Sequence, residues 1–548
     1  MKLSLFVVAL LATTAASARI TDVELKRDTQ VLSSDAFEGR KPGTPGGDKA
    51  VAYIIQRMQA IGLKPGNHGK WTQDVPLVTI KADPATAGLT INGGAAPIAL
   101  KFVDDEVVWT RHEQRHVDLK DSPLVFVGYG VVAPEHGWND YAGLDMRGKT
   151  AVILVNDPDW RNTDLKGDFG GRAMTYYGRW IYKFEEAARQ GAAGAMIIHQ
   201  TEPAAYPFGV VVTSNSVAKQ HLATADKGAS RTLIEGWVTK PASDKLFAAA
   251  GLDFAALELA AAKPGFKAVP MGRLTASVSL DNSVAYTASQ NVVGILPGKS
   301  RPNETVLYTA HWDHLGRCPA DKTGDDICNG ALDNASGVAG LLALATEAKR
   351  DTPTARSQVF IAVTAEESGL LGSQYYAEHP IYPLGLTAGG VNMDVMSVIG
   401  RVRDVTITGA GKSEIEPMFV AIAAKQGRSV APESKPEKGG YYRSDHFSFA
   451  KVGVPMLAAE SGNDVIGKDA AHSGKAYGQS LADDYTTKRY HQPSDQYDPS
   501  WDWSGAVEDL QAYYTFNRQL ANSSAWPNWY PTAEFRAVRD KSRAEFAK

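Results

Sequence analysis

Val359-Phe360-Ile361-Ala362-Val363-Thr364-Ala365-Glu366-Glu367 is the stretch that decides how this chain is read. An apolar, β-branched run with no polar alternation reads as a strand buried on both faces. Two adjacent carboxylates closing such a strand are costly unless they bind something. Desolvated like charges repel, so one must be neutralised by a proton or a cation. Upstream, the apolar run Val306-Leu307-Tyr308-Thr309-Ala310 ends in His311-Trp312-Asp313. Asp333 lies between the two runs, Asp394 follows the apolar segment around Val391, and His491 stands in a loop near Pro493. Histidines and carboxylates at the ends of successive strands are what a metal site in an α/β sheet requires.

Working outward, strands and helices alternate from about residue 291 onward. The patterning predicts helices over 338–349, 415–426 and 504–521, with a helix start over 369–378. Strands are predicted over 359–365, 391–395 and 454–458. This is an α/β fold with a mainly parallel central sheet flanked by helices. An earlier helix is predicted over 47–62, with Gly62 as its C-cap. Residues 120–275 read as an inserted, β-rich accessory unit with few convergent polar groups. The expected organisation is therefore a discontinuous main domain over 19–119 and 276–525, the insert over 120–275, and a C-terminal tail over 526–548.

At 548 residues the chain is too long for one ordinary core. Hydrophobic residues make up 44% and charged residues 22%, a soluble globular composition. A formal net charge of -4 leaves no basic footprint, so no nucleic-acid partner is expected. Lys2, the apolar residues 3–11 and Ala16-Ser17-Ala18 form an export signal with a cleavage site, predicting a signal peptide over 1–18. The apolar run is too short to span a bilayer, so no stable membrane anchor is expected. The protein is expected to be periplasmic or secreted. In that setting Cys318 and Cys328 read as a disulfide pinning the loop between His311 and Asp333, with a pair of soft zinc ligands as the alternative.

His311-x-Asp313 places a carboxylate two residues from an imidazole. A ligating histidine commonly hands its second ring N–H to a carboxylate, so His311 reads as a ligand and Asp313 as its orienting partner. Taken singly, Asp333 reads as a helix N-cap and His491 as a surface loop residue. Taken together, His311, Asp333, Glu367, Asp394 and His491 exceed what one tetrahedral zinc takes and fit two ions sharing a bridging carboxylate. Glu366 is left over beside them, in the position of a general base. His314 reads as a non-ligand because that set is already complete. Tyr490 is a candidate donor to a substrate oxyanion, and Asp445 and His446 are candidates to line the pocket.

At these residues the chain resembles the co-catalytic zinc metallopeptidases that include bacterial leucyl-type aminopeptidases, glutamate carboxypeptidase II and the transferrin receptor. The resemblance rests on Ala310-His-Trp-Asp-His314, Gly330-Ala-Leu-Asp-Asn-Ala-Ser-Gly337, Ala365-Glu-Glu-Ser-Gly-Leu-Leu-Gly372, Asn392-Met-Asp394, Ser444-Asp-His-Phe-Ser-Phe-Ala450 and Tyr490-His491. It implies two Zn2+ ions per chain, with Asp333 bridging them. His311 and Asp394 would complete one site, and Glu367 and His491 the other. It implies Glu366 as general base, peptide substrates, and an insert resembling the protease-associated (PA) domain. An aminopeptidase is the leading expectation. Carboxypeptidase or dipeptidase action, a glutaminyl cyclase, and a non-catalytic binding protein are the alternatives.

Overall fold

The structure, a computed structural model, describes residues 20–546. The signal peptide expected over 1–18 lies outside the described residues.

The run that ends in Glu366-Glu367 forms the strand Arg356–Val363, buried at every position. It pairs in parallel with Arg301–His311, which pairs in parallel with Thr387–Asn392, which pairs in parallel with Met456–Ser461. Antiparallel neighbours continue this sheet, with Val269–Leu296 beside Arg356–Val363 and Asp404–Ile407 beside Met456–Ser461. Successive side chains of a strand point to opposite faces, and both faces here are covered. Val306, Tyr308, Ala310, Phe360 and Ala362 face a core built with the helices Pro45–Ile61, Gly337–Arg350 and Ser504–Asn522. Leu307, Val359, Ile361 and Val363 face Tyr376 and Phe449 on the other side. That two-sided burial is why the strands read as continuous apolar runs.

Local signals place the flanking helices. Pro45–Ile61 begins at Thr44, whose side chain accepts from the Gly47 N–H at 3.3 Å. It ends at Gly62 with φ 87°, a left-handed cap that glycine adopts without a Cβ penalty. The bond between Cys318 and Cys328 is formed, closing the loop between His311 and Asp333. Among the described residues no helix is long and apolar enough to cross a membrane.

A second sheet carries the parallel strands His116–Phe126, Thr150–Leu154, Gly194–His199 and Ile234–Thr239. It begins earlier than the sequence patterning places it. Thr90–Asn92, Ile98–Ala99 and Glu106–Trp109, assigned above to the main domain, pair within this second sheet. The reason is the 28-residue strand Val269–Leu296, which serves both sheets. Its first part pairs with Thr90–Asn92 and His116–Phe126, and its next part, from Asn282 to Val292, pairs with Thr72–Ala82. Alternation alone does not reveal which sheet a strand joins. The segment set apart as a tail is also integrated, since Trp529, Ala533 and Phe535 pack with Tyr176, Tyr442 and Phe447 in one buried cluster. That cluster joins residues of the insert to residues of the main unit.

Candidate metal centre

His311 is the last residue of Arg301–His311 and lies opposite Val363. Thr309, two residues earlier, lies opposite Asn392. This register sets His311, Glu366, Glu367 and Asp394 at the carboxyl ends of three adjacent parallel strands, where open α/β sheets hold ligands. The segment 331–336 brings Asp333 in ahead of Gly337–Arg350, and the loop around His491 closes the site.

Two groups of donors result. Ligand atoms of His311, Asp333 and Asp394 lie within 4.8 Å of one another, as do those of His314, Asp333 and Glu367. His311 Nε2 is 3.3 Å from Asp333 Oδ1 and 3.3 Å from Asp394 Oδ1. His491 Nε2 is 3.3 Å from Asp333 Oδ2 and 3.1 Å from Glu367 Oε2. Asp333 thus turns one oxygen toward each group. All five residues expected as metal ligands converge.

His314 departs from expectation. Its Nδ1 lies 2.6 Å from Glu367 Oε1. Its Nε2 is buried and has no hydrogen-bond partner among the described residues. A buried ring nitrogen without a partner costs free energy unless something accepts its lone pair or proton. Mixed imidazole and carboxylate donors suit zinc and related divalent ions. The residues present fit a pair of such ions.

The electrostatics agree. Burial, followed by Asp394 and Glu367 against the opposition of His311, pushes the Glu366 carboxyl well above its ordinary 4.5. Burial would strip the His311 proton, yet Asp394, Glu366 and Asp333 hold it well above 6.5. Burial likewise opposes the His491 proton, but Asp333 and Glu367 lift it to about 10. Burial would raise Asp333, but His311 and His491 keep it far below the usual carboxylate range. The raised Glu366, His311 and His491 favour their protonated forms, and a cation bound here would compete with those protons.

Supporting contacts fix the ligand loops. Asp313 stands beside His311, as expected, with its carbonyl oxygen nearer than its carboxylate. His311 Nδ1 lies 3.2 Å from the Asp313 carbonyl oxygen and 3.8 Å from the nearest carboxylate oxygen. The Asp313 carboxylate instead accepts from the backbone N–H groups of Glu366 at 3.1 Å and Glu367 at 3.4 Å. Asp495 accepts from the N–H groups of Leu332 and Asp333, both at 3.1 Å. Ser444 Oγ donates to Asp394 Oδ2 at 2.5 Å and accepts from Asn392 Nδ2 at 2.9 Å. Arg40, fully buried, donates to the carbonyls of Leu32, Trp312, Asn329 and Gly330. Ala365, Val395 and His491 take φ of 54°, 61° and 59°. For β-branched Val395 that region is strained, and such outliers gather at functional sites.

Tyr490 stacks on His491 with ring centroids 3.8 Å apart and is 37% exposed. Burial, with Asp333 and Glu367 adding to it, raises its phenol well above 10, so it stays a proton donor. Asp445 and His446 are buried behind the site. No oxygen of the Asp445 carboxylate and no ring nitrogen of His446 has a hydrogen-bond partner among the described residues. Burial pushes Asp445 up to about 7 and His446 down to about 4. Sequence reasoning missed Arg40 and Asp495, whose partners are backbone groups. It read His314 as a non-ligand and did not foresee its contact with Glu367.

Residues 291–515 match the family model described as Peptidase family M28. Aminopeptidase YwaD of Bacillus subtilis is 38% identical over 92 residues, covering 17% of this chain and 18% of that protein. The probable lipoprotein aminopeptidase LpqL of Mycobacterium tuberculosis is 27% identical over 237 residues, covering 40% of this chain and 44% of that protein. The chain thus spans less than half the length of these curated relatives. Among solved structures, an aminopeptidase from Aneurinibacillus sp. strain AM-1 aligns over 92% of this chain and 95% of its own, at 20% identity and a TM-score of 0.46.

Proposed function

We propose that this chain is an exported, zinc-dependent aminopeptidase that releases N-terminal residues from peptides. The observation that carries the reading is the arrangement around Asp333. Its two oxygens face separate donor groups, while Glu366 stands outside both. In this reading His311, Asp333 and Asp394 would hold one ion, and Asp333, Glu367 and His491 would hold the other. His314 braces Glu367 from behind. When bound, the two zinc ions supply a water of lowered pKa and polarise the scissile carbonyl.

The chain's own residues do the rest. Glu366 takes the proton of the attacking water and passes it to the leaving amine, a role worth about 10²–10⁴-fold. Asp313 holds the backbone of the Glu366-Glu367 turn, which fixes the base relative to its ligand neighbour. Tyr490 donates a hydrogen bond to the developing oxyanion. The second sheet, over roughly 83–281, is a PA-like accessory unit that walls one side of the site. Export is supported by the residue pattern over 1–18 and by a formed disulfide, which persists in oxidising compartments.

The test compares peptides with free and acetylated N-termini but otherwise identical sequence. Stepwise loss of N-terminal residues from the free peptides alone is expected. Equal cleavage of both sets, or release from the carboxyl end, would replace the aminopeptidase reading with a carboxypeptidase one.

A further inference from the structure

The turn that carries Glu366 is closed tightly at its base. Leu371 N–H donates to the Ala365 carbonyl at 3.0 Å, and Gly372 N–H to the Thr364 carbonyl at 2.8 Å. Asn291 clasps the same end: its Oδ1 accepts from the Thr364 N–H at 3.0 Å and its Nδ2 donates to the Gly372 carbonyl at 2.9 Å. The tip has fewer ties. Gly369 and Leu370 N–H donate to the Glu366 carbonyl at 2.8 and 2.9 Å, and Asp313 holds the inner side. Ala365 and Leu370 take φ of 54° and 63°. Such a conformation persists in residues other than glycine only when the surroundings hold it.

The hold on the outer side comes from the insert. Lys219–Leu222 belongs to the insert by sequence, yet it pairs antiparallel with the main-unit strand Thr72–Ala82, setting Gln220 opposite Thr79 and Leu222 opposite Leu77. Side chains alternate along a strand, so Lys219 and His221 face one way and Gln220 and Leu222 the other. Lys219 Nζ lies over the rings of Trp109 and Trp180 at 5.3 and 5.6 Å, and His221 is buried, which anchors that face within the insert. On the opposite face Leu222 packs on the cluster of Val75, Leu77, Ala365 and Leu371, residues that bracket the Glu366-Glu367 pair. Gln220 Oε1 accepts from Ser368 Oγ at 3.1 Å. Among the described residues this is the one hydrogen bond between the insert and residues 366–370.

We infer that Gln220 is a positioning residue for the hydrolytic centre. Through Ser368 it fixes the tip of the turn and so the aim of the Glu366 carboxylate, with Leu222 as an apolar backstop. A general base must stand within hydrogen-bond reach of the proton it takes, and a displacement of about 1 Å can cost about 10²-fold in rate. The insert therefore acts on the chemical step itself, in addition to walling the site. This rests on the peptidase reading above.

A double-mutant cycle on the zinc-loaded protein tests it, with Leu-Leu-Leu amide as substrate. Gln220→Ala and Ser368→Ala should each lower kcat about tenfold, with KM within about twofold of wild type and metal content unchanged. The double variant should fall no further than the lower single, because both changes remove one contact. A merely structural contact would lower Tm and leave kcat alone. A fall in kcat of less than about threefold, a loss expressed in KM, or losses that multiply in the double variant would overturn the inference and leave the peptidase reading standing. If the wild type cleaves nothing, the peptidase reading fails, and hydrogen exchange over 365–371 decides the tie by itself. Exchange at Gly369 and Leu370 about tenfold faster in Gln220→Ala keeps the tie; unchanged exchange removes it.

Discussion

Glu235 in the second sheet and the Glu366-Glu367 pair in the first are both acidic groups at buried positions, and their surroundings differ completely. Glu235 is fully buried, yet Arg111 and Arg231 each reach it at 3.1 Å and the Trp109 Nε1 donates to it at 3.2 Å. Burial pushes its carboxyl up, and the two guanidinium groups outweigh burial and hold it below 4.5. At the carboxyl ends of the first sheet, Asp333, Glu367 and Asp394 have histidines as their only cationic partners among the described residues, and Glu366 is pressed by its acidic neighbours. A carboxylate compensated by arginine is finished as a structural element. A group of carboxylates with only histidines as cationic partners leaves charge that a bound cation would balance. Glu106 shows a third outcome. It is fully buried, neither oxygen has a partner among the described residues, and burial lifts it to about 8, so it is housed as a neutral acid.

The contrast can be broken at each of its members. The largest effect is expected at Glu366. Glu366→Gln should lower kcat by about 10²–10⁴-fold while leaving metal content intact. Near wild-type turnover would remove Glu366 from its role. Next, Arg40→Ala should weaken metal affinity by about 10–100-fold, the cost typical of losing an outer contact that orients ligands. Competition with a chromogenic chelator measures this. The prediction follows because Arg40 ties the carbonyls of Trp312, Asn329 and Gly330 together behind the site.

In the second sheet the expected effects fall on stability rather than on metal. Glu235→Ala leaves two arginines without their carboxylate and should cost about 2 kcal/mol in denaturant unfolding, with bound metal unchanged. The figure sits low in the usual range because both arginine side chains are 22% exposed. The smallest effect is at Glu106. Its pKa is higher in the folded state than in the unfolded chain, so the folded state binds the extra proton. The stability this contributes is complete below pH 4.5 and is lost as pH rises through about 8. Glu106→Gln should flatten that slope and raise Tm at pH 8 by about 4 °C. An unchanged Tm profile from pH 5 to 8 would show that Glu106 is hydrated or paired in solution.

These residues also mark how far the sequence could be read. His311, Asp333, Glu367, Asp394 and His491 are polar residues at the ends of apolar runs or in Gly/Pro loops, and the structure brings all five together. The mainly parallel sheet was legible for the same reason, since strands buried on both faces lose their alternation. Arg40 and Asp495 left no comparable trace. Their partners are backbone N–H and C=O groups, which every residue carries, and Arg40 acts on carbonyls some 270 to 290 positions away. The role of Asp313 was half legible. Its proximity to His311 could be anticipated, but its grip on the Glu366 and Glu367 N–H groups depends on strand register. The start of the second sheet was hidden because Val269–Leu296 runs unbroken through two sheets, and a strand's alternation is the same in both.

The most direct test of the central claim is the metal count on the native protein by mass spectrometry under non-chelating conditions. If Asp333 joins two metal positions, the wild type carries two zinc ions per chain and Asp333→Ala loses them. Fewer than two ions on the fully active wild type, or two ions retained on Asp333→Ala, would contradict it.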